Sequence, residues 1–224
     1  MCQADYQNNW QVELEETWTR CSWFNNELDD TDTKVYYLNL VGGAGHFNDA
    51  GDQNYMEAVN LLWINTHGGA WVDTATWVMW DQNSRGFSKN VRLGDEGVGL
   101  SMLVQYACAT MKWDGVWARW GSAFRGGLRY VMGSHDTLWD SSTTNEVGED
   151  FADNIQGSQE FKYAWRDAVT DWNKDQDASV FATGKTSSEC ANRRDGMKWQ
   201  NYGNYPRLKD SDVVYICKTS WENL

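Results

Sequence analysis

The sequence predicts an α/β fold: a mostly parallel central sheet with helices on both faces. Mostly apolar runs of strand length recur at residues 35–41, 61–67, 100–107, 127–133 and 213–217. Between and around them lie stretches whose apolar residues fall three and four apart, the signature of helices. Strands that alternate with helices build parallel sheets covered on both sides. With 224 residues, 41% hydrophobic and 23% charged, the chain has enough sequence for one sizeable core. We therefore expect a single domain over 1–224, with a helical and loop insertion at about 137–211 before the last strand.

The elements read in order as follows. A short run around residues 10–12 suggests a first strand. A helix over 13–29 would put Leu14, Trp18, Cys21, Phe24 and Leu28 on one face. A turn at 29–33 leads into the strand 35–41, which ends on the glycine-rich loop 42–46. That loop does not match GxGxxG and opens no helix, so a dinucleotide site is rejected. After the run ending at His67, the β-branched residues around Trp71, Trp77 and Trp80 suggest a hairpin or a pair of short strands. Trp113, Val116, Trp117, Trp120 and Phe124 follow the next strand on one helical face, with Gly115 and Gly121 weakening the pattern. Two further helices carry Val147, Phe151 and Ile155, and then Phe161, Ala164, Trp165, Ala168, Val169 and Trp172. Ser158 reads as N-cap of the second. The polar segment 183–210, with the only proline, Pro206, reads as an ordered surface loop.

Composition narrows the function. Fifteen Trp, ten Tyr and seven Phe must largely be buried or line a groove. A net charge of -13 argues against nucleic acid, whose phosphates need neutralising cations, and favours solubility and a basic peptide or protein partner. No apolar stretch approaches the roughly twenty residues of a membrane span. Residues 1–5 lack the basic and apolar regions of a signal peptide, so we expect a soluble chain, cytoplasmic or exported after removal of a signal. Five cysteines without a CxxC pair remove zinc-ribbon and thioredoxin readings, and the odd count leaves at least one thiol free of internal disulfides.

Two of the apolar runs end on side chains able to do chemistry, at His67-Gly68 and at Ala107-Cys108. If their strands are parallel neighbours, both emerge at the carboxyl edge of one sheet, where open α/β folds place their sites. Cys108 is then a candidate nucleophile and His67 its acid and base. Gly68 lets the main chain approach closely, so its N–H and that of Cys108 are candidate oxyanion donors. A third run ends at Ser134-His135-Asp136. His135, Asp136, Trp139 and Trp71 are candidates for a substrate pocket, and Asp136 with Asp140 could shape a cationic one.

A histidine-glycine after one apolar strand, and an alanine-cysteine after another some forty residues on, resembles the caspase-like superfamily of cysteine peptidases, which includes caspases, legumain, gingipains and clostripain. The resemblance covers roughly residues 35–136, with the last strand fitting the sheet's end, and Phe124, Gly126 and the strand 127–133 look like an uncharacterised prokaryotic branch. It implies a three-layer caspase-like fold and a Cys108–His67 dyad that cleaves or transfers peptide bonds through an acyl-thioester, with a peptide or protein substrate and no cofactor. Here Gln105-Tyr106-Ala107-Cys108-Ala109-Thr110 inserts Tyr106 and lacks the caspase glycine, so specificity for aspartate is not implied. A basic residue before the scissile bond, as in gingipain-like relatives, would suit the acidic chain.

Other uses of the same residues stand beside this one. Cys108, His67 and His135 are all acceptable zinc ligands, which would make a metal-dependent hydrolase. A catalytically inactive peptide-binding module could line a groove with Trp71, Trp113, Trp117 and Trp139. The alternating oxygens of residues 173–177 suggest calcium, without the glycine and terminal glutamate of an EF-hand.

Overall fold

The computed structural model describes residues 17–28, 48–50, 56–78, 85–96, 99–139, 144, 146–171 and 176–222. The expected strands at 10–12 and 35–41, the turn at 29–33 and the glycine-rich loop at 42–46 lie outside the described residues. A helix, α1 (Thr17–Glu27), precedes β1 (Leu61–Asn65). The short strands β2 (Gly68–Ala70), β3 (Ala75–Val78) and β4 (Arg85–Phe87) follow. Next come β5 (Met102–Tyr106), α2 (Val116–Arg125), β6 (Tyr130–Gly133), α3 (Val147–Gln156) and α4 (Phe161–Thr170). The chain closes with β7 (Ala178–Gly184), α5 (Ser187–Gly196) and β8 (Tyr215–Trp221).

Five strands form one sheet in the order β1-β5-β6-β7-β8, and β2-β3-β4 form a separate antiparallel sheet, the expected hairpin region. The main sheet is α/β but less parallel than its sequence suggests. β1, β5 and β6 run parallel, whereas β7 is antiparallel to β6 and β8 to β7. Connection parity explains the difference. One helix between β5 and β6 makes a crossover that returns the next strand in the same direction. Two helices, α3 and α4, separate β6 from β7, so the chain re-enters the sheet at the end it left. Likewise Gly184 pairs with Tyr215, so α5 and the loop after it leave and return at one end.

Local corrections follow the same logic. The stretch 137–211 carries the expected helices but also β7, a fully buried strand between β6 and β8. Within the polar segment 183–210, α5 forms despite few apolar residues, capped by Thr186, whose side chain accepts from the Glu189 N–H at 3.1 Å. Ser158 is not a cap: it sits at φ 69, and Glu160 is the N-cap of α4. Gly115 lies just outside α2 as its N-cap at φ 71, so it does not interrupt the helix. Trp113 precedes that helix, and Trp117 is exposed on it while Val116, Trp120 and Phe124 are buried.

Apolar residues cover both faces of the main sheet. Because strand side chains alternate, Met102, Val104 and Tyr106 face one cluster, with Trp63, Phe24 of α1, Phe151 of α3 and Trp165 of α4. Leu103 and Ala107 face the other, with Trp77, Trp120 and Phe124. Trp63 anchors the first, stacked 4.9 Å from Phe24 and edge-on at 5.9 Å to Trp165. Such aromatic pairs contribute about 0.5–1.5 kcal/mol each beyond area burial.

Candidate active site

β1 and β5 pair in register, Asn65 opposite Tyr106, and the Thr66 N–H continues the pairing to the Tyr106 carbonyl at 3.2 Å. The two chains therefore leave the sheet level with each other. His67 is two residues past Asn65, and Cys108 two past Tyr106. Neighbouring strands lie about 4.8 Å apart, so the two ends are within reach of a single substrate bond. Gly68 closes the gap. A Cβ there would lie 2.7 Å from the Cys108 carbonyl oxygen, 2.8 Å from the Ala107 Cβ and 2.9 Å from the Thr110 Cγ2. Only a residue without a side chain fits such contact.

The small sheet holds Gly68 in place. Gly68 pairs with Trp77, whose indole N–H donates to Gln105 Oε1 at 2.8 Å, linking the small sheet to the second core face of β5. The turn after Cys108 is pinned as firmly. Ala109 adopts φ 53, a left-handed conformation costing a side-chain-bearing residue about 1–2 kcal/mol. Main-chain bonds from Ala109 N to the Asp136 carbonyl (2.8 Å) and from Met111 N to the Ser134 carbonyl (2.9 Å) hold it. The Trp120 indole donates to the Thr110 carbonyl at 3.1 Å.

Cys108 continues the alternation of β5 and packs partly buried against the first core cluster. Its sulfur donates to the Leu138 carbonyl at 3.5 Å and accepts from the Leu138 N–H at 3.4 Å. The thiol's hydrogen bonds thus run to Leu138 rather than to His67. Burial pushes the Cys108 thiol above its ordinary pKa, only partly offset by its main-chain hydrogen bonds, and the Asp136 charge adds to the rise. Among the described residues Cys108 is the free thiol, since Cys190 is bonded to Cys217 and Cys21 is also in a disulfide.

His135 arrives at the same edge from β6 but in other company. Its Nδ1 lies 2.9 Å from Ser179 Oγ, and its Nε2 lies 3.3 Å from Asp177 Oδ2 and 3.6 Å from Glu222 Oε1. It lines a surface cavity of about 280 Å³ with Asp136, Trp113, Lys218 and Ser220. Lys218 sits over the Trp113 ring, 5.4 Å from its centre.

Of the pocket residues expected from sequence, His135 and Asp136 line this cavity. Trp71 and Trp139 do not: they are 63% and 56% exposed. Trp71 stands at the tip of the β2–β3 hairpin against Phe87, and its carbonyl accepts from Arg119 Nε at 2.5 Å. The Trp139 carbonyl lies 2.6 Å from the Tyr106 hydroxyl. Asp140 and Trp80 lie outside the described residues. No group of three His, Cys, Asp or Glu side chains among the described residues is placed to hold a metal ion, so the Cys108, His67 and His135 ligand set is not assembled. Residues 173–175 of the candidate calcium segment lie outside the described residues, as does Trp172, while Gln176 contacts the Tyr106 hydroxyl and Asp177 faces His135.

Sequence reasoning missed Leu138, which clamps the sulfur through backbone atoms that no side-chain pattern reports. It also missed Ser179 and the pairing of Asp177 with His135, because β7 was not recognised as a strand, and Glu222, which lies just past β8. No helix among the described residues is long and apolar enough to cross a membrane. No curated protein matches the sequence. Residues 3–220 match the model of a family described as a domain of unknown function, DUF6345. The chain, matched over nearly all of its 224 residues, belongs to the DUF6345 family.

Proposed function

We propose that this chain is a cysteine peptidase of caspase-like architecture, acting through an acyl-thioester on Cys108 with His67 as acid and base. The observation that carries the reading is the packing of Gly68 on the Cys108 carbonyl, where β1 and β5 leave the sheet side by side. In the reaction, the Cys108 sulfur attacks the peptide carbonyl carbon as its proton passes to the His67 imidazole. The N–H groups of Gly68 and Cys108 take up the developing oxyanion. His67 then protonates the leaving amine as the C–N bond breaks. Water, deprotonated by the same imidazole, hydrolyses the thioester to a carboxylic acid and restores the thiol.

The raised thiol pKa sets the character of this chemistry. Cys108 is not a standing thiolate, so proton transfer to His67 accompanies attack, and a substrate must draw the sulfur off the Leu138 backbone. The net charge of -13 supports basic peptide substrates. The Cys190–Cys217 bond supports the exported alternative, since such bonds persist in oxidising compartments. Incubating the chain with reduced, carboxymethylated casein tests the activity. Cleavage that disappears in both Cys108→Ala and His67→Ala supports the reading, and cleavage that survives either substitution contradicts it.

A further inference from the structure

Among the described residues the outer edge of β2 has no partner strand, since β2 lies at the outside of the three-stranded sheet. Its hydrogen-bonding direction follows from the hairpin. The Trp71 N–H donates to the Thr74 carbonyl at 2.8 Å, which closes the turn, and Gly69 pairs with Thr76. Antiparallel ladders alternate, so Trp71 and Gly69 face β3 while Gly68 and Ala70 turn their N–H and C=O groups the other way. Two observations agree. The Ala75 N–H, opposite Ala70, donates to Ser88 Oγ at 2.9 Å on the β4 side instead of back to β2. All three β2 residues are partly exposed.

We infer that β2 is the docking strand for an extended peptide, which adds to it as an antiparallel fourth strand. The inference rests on the peptidase reading of Cys108 and His67 and specifies how the substrate is held. An unpaired strand edge recognises another main chain through alternating N–H and C=O groups and leaves the side chains free, so the ligand class is an unfolded peptide. Register follows from geometry. A residue paired with Gly68 presents its carbonyl to the Gly68 N–H, the same donor assigned to the oxyanion, beside Cys108. Running antiparallel, the peptide then pairs the third residue before the scissile bond with Ala70. β2 is only three residues long, so it grips those two residues alone.

The test uses the Cys108→Ala chain and carboxymethylated casein, with amide exchange followed by NMR. Bound casein should slow exchange at Gly68 and Ala70 at least tenfold and leave Gly69, already paired within the hairpin, unchanged. Ala70→Pro removes an outward N–H without touching the ladder and should weaken casein binding at least tenfold, whereas Ala70→Gly should retain it. Casein binding without protection at Gly68 and Ala70, or no casein binding at all, overturns the inference. Protection that instead grows with protein concentration in the absence of casein means a second copy pairs on β2, and also overturns it. The exchange experiment needs no β2 variant, so it stands even if Ala70→Pro fails to fold. Casein that protects Gly68 and Ala70 yet is never cleaved by the unmodified chain would refute the peptidase reading and leave the docking strand intact.

Discussion

Gly68 lies so close to Cys108 that a single methyl group on its Cα would stand 2.7 Å from the Cys108 carbonyl oxygen. The contact joins two sheets, because Gly68 opens the small one and Cys108 lies two residues past the end of β5 in the large one. Gly68→Ala must push the hairpin away from the Cys108 turn. Overpacking of this kind costs about 1–3 kcal/mol, which at this size lowers the melting temperature by about 2–4 °C per kcal/mol. Calorimetry should show that drop, and casein turnover should fall by at least tenfold because the oxyanion donor moves with the hairpin.

The raised pKa of Cys108 predicts slow alkylation at neutral pH. Iodoacetamide reacts with the thiolate, and burial keeps the sulfur protonated to a higher pH than free cysteine, whose value is about 8.5. The labelling rate should lie below that of a free thiol at pH 7 and climb with a midpoint above the free value. A stopped reaction series between pH 6 and 10, read by mass spectrometry, checks it. Before reduction, Cys190 and Cys217 should remain unlabelled because they are bonded to each other.

How far the sequence anticipated this site depends on which atoms do the positioning. The neighbouring ends of β1 and β5, which carry His67, Gly68 and Cys108, were legible because each follows a mostly apolar run, and those ends do emerge together. The helices α3 and α4 were legible through the spacing of Val147, Phe151 and Ile155 and of Phe161, Trp165 and Val169. β7 was not: Ala178-Ser179-Val180-Phe181-Ala182-Thr183-Gly184 mixes small and polar residues, and its full burial comes from neighbours on both sides rather than from its own hydrophobicity. Missing that strand hid the antiparallel half of the sheet and the Asp177 and Ser179 partners of His135. The Leu138 clamp was illegible for another reason, since it is made by main-chain atoms.

The Cys190–Cys217 bond closes a separation of 27 residues around α5. Chain-entropy arguments assign a crosslink of that span about 3–4 kcal/mol. Replacing both cysteines with serine should lower denaturant stability by about 2–4 kcal/mol, since measured values often fall short of the entropic figure. Urea titration of the double variant measures it, and the strand pairing of β7 with β8 should survive in water.

Asp195 gives the chain part of its acid sensitivity. Hydrogen bonding to Arg194, with help from Lys162, lowers its carboxyl to about 2 from an ordinary 3.8. A depressed carboxylate contributes stability that is fully present above the unfolded value and is lost as pH falls from near 4 through about 2. Because the side chain is 41% exposed, screening limits this to under about 1 kcal/mol. Asp195→Asn should therefore be slightly less stable than the parent at pH 6, and most of the difference should be gone by about pH 2 in matched denaturation curves.

An acyloxymethyl ketone carrying a short basic peptide tests the central claim most directly, because it forms a thioether only with a nucleophilic sulfur that can be activated in place. The account predicts one adduct, on Cys108, forming at least a hundredfold more slowly in His67→Ala while the fold is retained. An unlabelled Cys108, or equal labelling with and without His67, would contradict it.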